Sequence, residues 1–486
     1  MKNNSSQKLL CQVWLAKNWI YVLLVIMGVF YLFLASQQSL LLWDEPVYLS
    51  NAQSHLTTTH FTEDFRFPGL EYVLVGAFAL FGSSIFTAQI VMIVFSLLGI
   101  FAFYLLAKEL FAQTKNSTLF QLIATLSFAI IPPMIFWSFR IYTDIPSVTC
   151  MLFSIYFFIK SIPEKKASKK FISPSSKKIY CFIALAGIFA SLSFLLRFST
   201  ILFVIPIGIY LLYNKRFKHL LFFSAGALAT LLPWLLYNTI QYSHPLWDLL
   251  AQGGAVASYT AWQPISILFN YLIAIHSLFL LGLPLAFYQL KSQPKKQQLL
   301  VWILVSVLAI TTFFYFSVVQ LKLLRYSLMF IPFTLLLSVW GISRLQIVPF
   351  FKRKKYFVFI FLGLCFLILI AGSFSQVITL QEKASYEKKS ALYQSIHYAE
   401  ENIPQGEMIL SNNWVWFGYY GNHQVMSLWD TNITNLITVS NASTVIYFSK
   451  IGVYYNQSIL DSSPILCPKV KFKDSKNISA VIYEVC

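Results

Sequence analysis

Eleven apolar runs separated by short polar loops constrain this 486-residue chain more than any other feature: 19–35, 84–107, 119–137, 146–159, 179–196, 198–213, 220–237, 265–288, 299–318, 326–341 and 356–371. A helix needs about twenty apolar residues to cross the hydrocarbon core of a bilayer. Inside lipid every backbone N–H and C=O must be satisfied within the element, so such runs read as helices. Composition agrees: 57% of residues are hydrophobic and 11% charged, and the mean hydropathy is +0.66. A polytopic α-helical membrane protein of about eleven transmembrane helices is predicted over residues 1–375, with the lipid bilayer as an obligatory partner.

The net charge of +18 could point to nucleic acid, but the placement of the cations decides otherwise. Of 36 Lys and Arg, 23 fall in segments that the alternation of spans puts on one side, 5 on the other, and 8 after residue 375. That asymmetry orients a membrane protein, with Lys-rich loops and the N-terminus cytoplasmic. No nucleic-acid partner is expected. The apolar stretch 68–81 is short for a span, and counting it as one would turn the Lys-rich loops outward. It is therefore expected to lie flat in the outer interface. No small-residue cleavage site follows the first run, so that helix is expected to be retained.

From residue 376 the composition becomes that of a soluble domain. Residues 380–401 read as an amphipathic helix, and 407–410, 444–448, 470–472 and 480–485 as strands. A small extracytoplasmic α/β domain is predicted over 376–486. Its two cysteines, Cys467 and Cys486, could pair there. Four Asn-x-Ser/Thr sequons, at Asn432, Asn441, Asn456 and Asn477, fit an external surface.

Acidic residues break the hydrophobic pattern in one place above all. The first external loop, 38–83, carries Asp44, Glu45, Glu63, Asp64 and Glu71. Before residue 376, seven of nine carboxylates lie on the outer side, although acidic residues contribute little to orientation. Ionisable groups against a membrane are costly and mark functional sites. A sugar transfer from a lipid phosphate would need one base beside the anomeric carbon to take the acceptor proton. Asp44 in Trp43-Asp44-Glu45 is the candidate, with a helix-end or capping carboxylate as the plain reading. Asp144 before Pro146 is the second acid, or equally a helix N-cap. Arg66, Arg140, Arg197, Lys322 and Arg325 face outward and could grip a phosphate at headgroup level, or anchor in headgroups. His55, His60, Glu63 and Asp64 could contact an acceptor or a divalent metal, but their spacing matches no strong metal motif. No cofactor is firmly predicted.

Taken in order, Trp43-Asp44-Glu45, the run Phe65-Arg66-Phe67-Pro68-Gly69-Leu70, Tyr142-Thr143-Asp144-Ile145-Pro146 and Lys322-Leu323-Leu324-Arg325-Tyr326 are similar to the GT-C membrane glycosyltransferases. The resemblance is to the dolichyl-phosphate-mannose protein mannosyltransferases and lipid A aminoarabinose transferases, over about residues 40–340. It implies inverting transfer of one sugar from a polyprenyl-phosphate donor to a protein, lipid or glycan acceptor on the outer membrane face. Asp44 would stand at the reaction centre, Glu45 beside it and Asp144 at the second acidic position. Arg66, Arg197, Lys322 and Arg325 would hold the donor phosphate. Phe67 stands where many relatives have a second residue of an Arg-Pro-Pro sequence. The run Trp414-Val-Trp416-Phe-Gly418-Tyr-Tyr420 resembles the WWDYG motif of oligosaccharyltransferases but lacks its acid. The competing classes are a membrane transporter or lipid-linked-sugar flippase, which would carry ionisable groups at mid-membrane in repeated or broken helices, and a non-catalytic assembly factor.

Overall fold

The computed structural model describes residues 3–59, 61–63, 66–163, 176–251, 282–288, 290–317, 324–347, 355–428, 433–449 and 457–486. His60, Asp64, Lys322, the sequons at Asn432 and Asn456, and most of the run 265–288 lie outside them.

Among the described residues six helices are long and apolar enough to cross a membrane: Asn18–Ser36, Ile85–Phe111, Lys177–Leu196, Phe217–Tyr242, Lys295–Tyr315 and Tyr356–Glu387. Their outward faces carry large apolar side chains in the open, such as Val25, Val29, Phe86, Leu221, Ile360 and Leu367. In water such a surface would be a liability, but against lipid tails it is the expected exterior. Shorter apolar helices, among them Gly69–Phe81, Ser117–Ile130 and Ile331–Arg344, fill the space between.

The helices that matter for the site are α1 (Asn3–Ser36), α2 (Asp44–Ser54), α3 (Gly69–Phe81), α4 (Ile85–Phe111), α5 (Ser117–Ile130), α6 (Pro132–Trp137), α7 (Asp144–Ser161), α8 (Ser176–Leu196), α9 (Val204–Tyr213) and α10 (Phe217–Tyr242). α8 and α10 meet at Gly187 and Gly226, where a Cβ on either would strike the other helix's backbone. Small residues that let backbones approach are a standard means of association in lipid, where water supplies no drive. The first residue of α3, Gly69, sits likewise against the backbone of Leu195 and Leu196, which fixes α3 beside the end of α8. At the far end of α7, about 27 Å from Asp144, Glu109 bridges Lys160 and Lys296 and ties three helices together.

Local sequence accounts for several departures from expectation. The stretch read as an open acidic loop contains a helix, α2. Its first turn holds Asp44 and Glu45, which suit the positive end of a helix dipole, and Pro46, which lacks an N–H there without loss. The run 119–137 is broken at Pro132-Pro133 into α5 and α6, because proline cannot donate to the preceding turn. Arg197 is not the tip of a bare hairpin: a 3-10 segment, Phe198–Phe203, intervenes before α9. The helix that carries the last apolar run extends from Lys355 to Glu387, well beyond that run. The predicted amphipathic helix is consequently split. Its first part ends that long helix, and the rest, Ala391–Asn402, starts anew at Ser390, whose hydroxyl caps Tyr393 N.

The remainder forms a five-stranded sheet in the order β2-β1-β3-β5-β4, from β1 (Met408–Ser411), β2 (Gln424–Ser427), β3 (Thr444–Phe448), β4 (Leu466–Lys473) and β5 (Ser479–Val485). β2, β1 and β3 are parallel, while β5 pairs antiparallel with both β3 and β4. β2 was not anticipated: its four residues are at best half-buried and carry little pattern. Cys467 and Cys486 form a disulfide with a Cα–Cα separation of 5.9 Å. Leu40, Val47 and Phe61 of the first loop join Ile396, Ile409, Trp416, Phe417 and Phe448 in one apolar cluster. The sheet's core is thus continuous with the segment that carries Asp44.

Candidate active site

Asp44 and Asp144 occupy equivalent places. Each is the first residue of a helix with proline two positions on, following Trp43 and Thr143, neither of which makes a side-chain cap. Neither acid serves as the N-cap. The Asp44 carboxylate lies between two guanidinium groups, with Oδ1 at 3.1 Å from Arg66 Nη2 and Oδ2 at 2.7 Å from Arg325 Nη1. It is 9% exposed. Burial alone would raise its pKa, but the charges of Arg66 and Arg325 outweigh burial and hold it below the ordinary aspartate value of 3.8. Asp44 is therefore a carboxylate across the physiological range.

Arg66 continues the charge alternation through Nε, which donates to Glu63 Oε2 at 3.0 Å. Burial raises the Glu63 pKa more than Arg66 lowers it. The backbone of Glu63 is clamped by Asn51, which donates to Glu63 O and accepts from Glu63 N, each at 2.9 Å. On the other side, Asp144 Oδ1 lies 2.9 Å from Arg197 Nη1. Arg197 packs over the Tyr326 ring at 4.8 Å and donates to Tyr315 OH at 3.3 Å. Arg325 sits over Tyr142 at 4.7 Å and also faces Tyr326. Burial alone would lower the pKa of both arginines, but Asp44 and Asp144 reverse this and keep them fully charged.

Glu45 has a different surrounding from its neighbour. It is fully buried, and Oε1 accepts Ile141 N at 2.8 Å. Oε2 accepts Leu42 N at 2.5 Å, Gln38 Nε2 at 2.9 Å and Arg140 Nη1 at 3.3 Å. These bonds tie the entry of α2 to the turn before α7. Arg140, packed over Phe136 and Phe139, is its counter-charge and is 2% exposed.

His55 bonds to Glu71 Oε1 at 2.6 Å. Among the described residues no group of three or more His, Cys, Asp or Glu comes together in a way that could hold a metal. A polar cavity of about 230 Å³ opens beside Arg66, lined in part by Asn51, His55, Glu63, Glu71, Tyr242 and Asp248.

Sequence reasoning missed the brace behind Asp44. Trp43 is held edge-on between Trp414 and Trp416, at centroid distances of 4.9 and 5.1 Å. Trp416 Nε1 donates to Leu41 O at 2.9 Å, and Leu41 N donates to Tyr420 OH at 3.4 Å. Glu387 accepts from Ser39 Oγ at 2.7 Å and Leu40 N at 3.3 Å. The aromatic run 414–420 was the available signal, since five aromatics in seven residues suit an interface.

Residues 66–237 match the family model described as dolichyl-phosphate-mannose-protein mannosyltransferase. The structure is similar to the crystal structure of ArnT from Cupriavidus metallidurans bound to undecaprenyl phosphate. The two align with a TM-score of 0.67 and 13% identity over 96% of this chain and 98% of that one. The fold is that of the GT-C membrane glycosyltransferases. A further GT-C likeness is to AglB, the archaeal oligosaccharyltransferase from Archaeoglobus fulgidus solved with an inhibitory peptide and a dolichol-phosphate (TM-score 0.60, 13% identity, 89% of this chain and 70% of that). Another is to the mycobacterial arabinofuranosyltransferase AftD (TM-score 0.52, 11% identity, 96% of this chain but 41% of that). No curated protein sequence matches the chain. The GT-C resemblance expected from the motifs is borne out, and the chain is a polytopic helical membrane protein.

Proposed function

We propose that this chain is an inverting glycosyltransferase that moves one sugar from a polyprenyl-phosphate donor to an acceptor hydroxyl on the extracytoplasmic face. The observation that carries the reading is the Asp44 carboxylate held between Arg66 and Arg325. The likeness to proteins solved with undecaprenyl phosphate and dolichol-phosphate supports the donor class.

In this reading Asp44 accepts the proton of the acceptor hydroxyl as that oxygen bonds to the anomeric carbon. The bond from the anomeric carbon to the phosphate oxygen breaks at the same time, and polyprenyl phosphate departs with its charge stabilised by Arg325 and Arg197. Phosphate is a good leaving group and needs no general acid. Both arginines are stacked on Tyr142 and Tyr326 and paired to Asp44 and Asp144, which holds them in place before the donor arrives. Asp144 orients Arg197. Glu45 is a positioning residue that sets the start of α2. Lys322 would add a third phosphate contact.

The test uses the full chain in detergent with a radiolabelled polyprenyl-phosphate sugar and a membrane extract as acceptor source. Label transferred to acceptor with matching release of polyprenyl phosphate supports the reading. Movement of the intact lipid-linked sugar across vesicles, with no cleavage, would replace it by a flippase.

A further inference from the structure

The polar cavity is walled in part by Arg66, the residue that links it to Asp44, while Arg197 and Arg325 are not part of its lining. Arg66 reaches Asp44 Oδ1 with one end and Glu63 with the other, whereas Arg325 reaches Oδ2. An inverting displacement needs nucleophile and leaving group on opposite faces of the anomeric carbon, with the base on the nucleophile's side. The two arginines take separate oxygens of Asp44, and only Arg66 borders the cavity, which fits an acceptor on the Arg66 side and a donor phosphate on the Arg325 side.

We infer that this cavity seats the acceptor as a single uncharged sugar ring. The inference rests on the proposed transfer reaction. Its wall carries Glu63, Glu71 and Asp248 against Arg66 and His55, a balance that disfavours a phosphate. The carboxylates are held from behind. Glu71 takes Asn51 Nδ2 at 3.1 Å on Oε2 and His55 at 2.6 Å on Oε1, and Asp248 Oδ2 accepts Trp234 Nε1 at 2.7 Å and Asn238 Nδ2 at 3.3 Å. A carboxylate oxygen has two lone pairs, so each Glu71 oxygen fixed by one donor can still accept a ligand hydroxyl. Tyr72, Tyr237 and Tyr242 add aromatic surface of the kind on which the C–H face of a sugar packs. A volume of about 230 Å³ falls below the ~300–1,000 Å³ typical of drug-sized ligands and suits one ring. A serine or threonine side chain would leave most of that space and most of the acceptors unused.

The experiment is saturation-transfer NMR on the full chain in detergent, with methyl α-mannopyranoside, methyl β-galactopyranoside and N-acetylglucosamine as probes and a Ser/Thr hexapeptide as comparison. Gln241 is exposed at the cavity wall, so Gln241→Trp plugs it without disturbing the core. Glu71→Gln, of equal size, is the second variant. At least one glycoside should give a signal that falls about tenfold in both variants, with undecaprenyl phosphate binding by native mass spectrometry unchanged. Absence of any glycoside signal, a signal that survives the plug, peptide binding lost on plugging, or loss of undecaprenyl phosphate binding in the plugged protein would each overturn the assignment. If Asp44→Asn abolishes transfer while the plug spares glycoside binding, only this inference fails. If Asp44→Asn leaves transfer intact, the reaction itself has been misread.

Discussion

Arg325 Nη1 donates to Asp44 Oδ2 at 2.7 Å across a separation of 281 residues, joining the first helix after the membrane anchor to a 3-10 turn late in the bundle. The same carboxylate meets Arg66 on its other oxygen. In the proposed reaction a base and a phosphate-binding cation share one ion pair, and donor binding would draw Arg325 partly away from Asp44. That coupling would free the carboxylate when the donor is present.

Substitutions of the arginines separate binding from folding. Arg325→Ala should weaken binding of undecaprenyl phosphate by about 10- to 100-fold, the range for a hydrogen bond to a charged group, read by native mass spectrometry. Arg140→Ala should leave Glu45 buried without its counter-charge and destabilise the protein by about 3–5 kcal/mol. A lowered melting temperature in detergent should therefore accompany Arg140→Ala.

The pH response has two parts of opposite sign. Asp44 has a depressed folded pKa, so its stabilising contribution is present above the ordinary 3.8 and is lost as pH falls below it through the folded value. Glu63 has a raised folded pKa, so stability declines as pH rises from the ordinary 4.5 through the folded value. Burial raises Glu71 as well, so thermal unfolding across this range should show the second slope shrink but not vanish in Glu63→Gln, while the first remains.

The brace on Trp43 predicts a rate effect transmitted from the sheet. Trp416→Phe keeps an aromatic ring, though a smaller one, and leaves Leu41 O without its donor, at a cost of about 1–3 kcal/mol. Turnover should fall while undecaprenyl phosphate binding is retained. Gly418→Ala should act in the same direction, because its Cβ would enter the ring of Phe61. Unchanged turnover in both variants would exclude the brace.

How much of this was legible follows from what each residue's surroundings require. Asp44, Asp144, Arg66, Arg197 and Arg325 stood out because charge beside an apolar bundle is expensive, wherever the chain later folds. Which acid meets which cation was not legible, since the pairs span 22 to 281 residues and only tertiary packing sets them. The sequence favours Asp44 over Glu45 as the base but does not show their surroundings: Glu45 ends among backbone N–H groups and Arg140 while Asp44 faces two arginines. The break at Pro132 follows from local sequence alone, since proline cannot continue the hydrogen-bond ladder of the preceding turn. The long helix ending at Glu387 was hidden because its last turns leave the apolar run and become amphipathic. His60, Asp64 and Lys322 keep only their sequence-based expectations.

The central claim is that Asp44 takes the acceptor proton, and Asp44→Asn tests it most directly. The substitution keeps size and removes charge. Turnover with a radiolabelled polyprenyl-phosphate sugar should fall by about 10²–10⁴-fold, the usual contribution of a positioned base, while undecaprenyl phosphate still binds. Turnover equal to that of the unmodified protein would contradict the account.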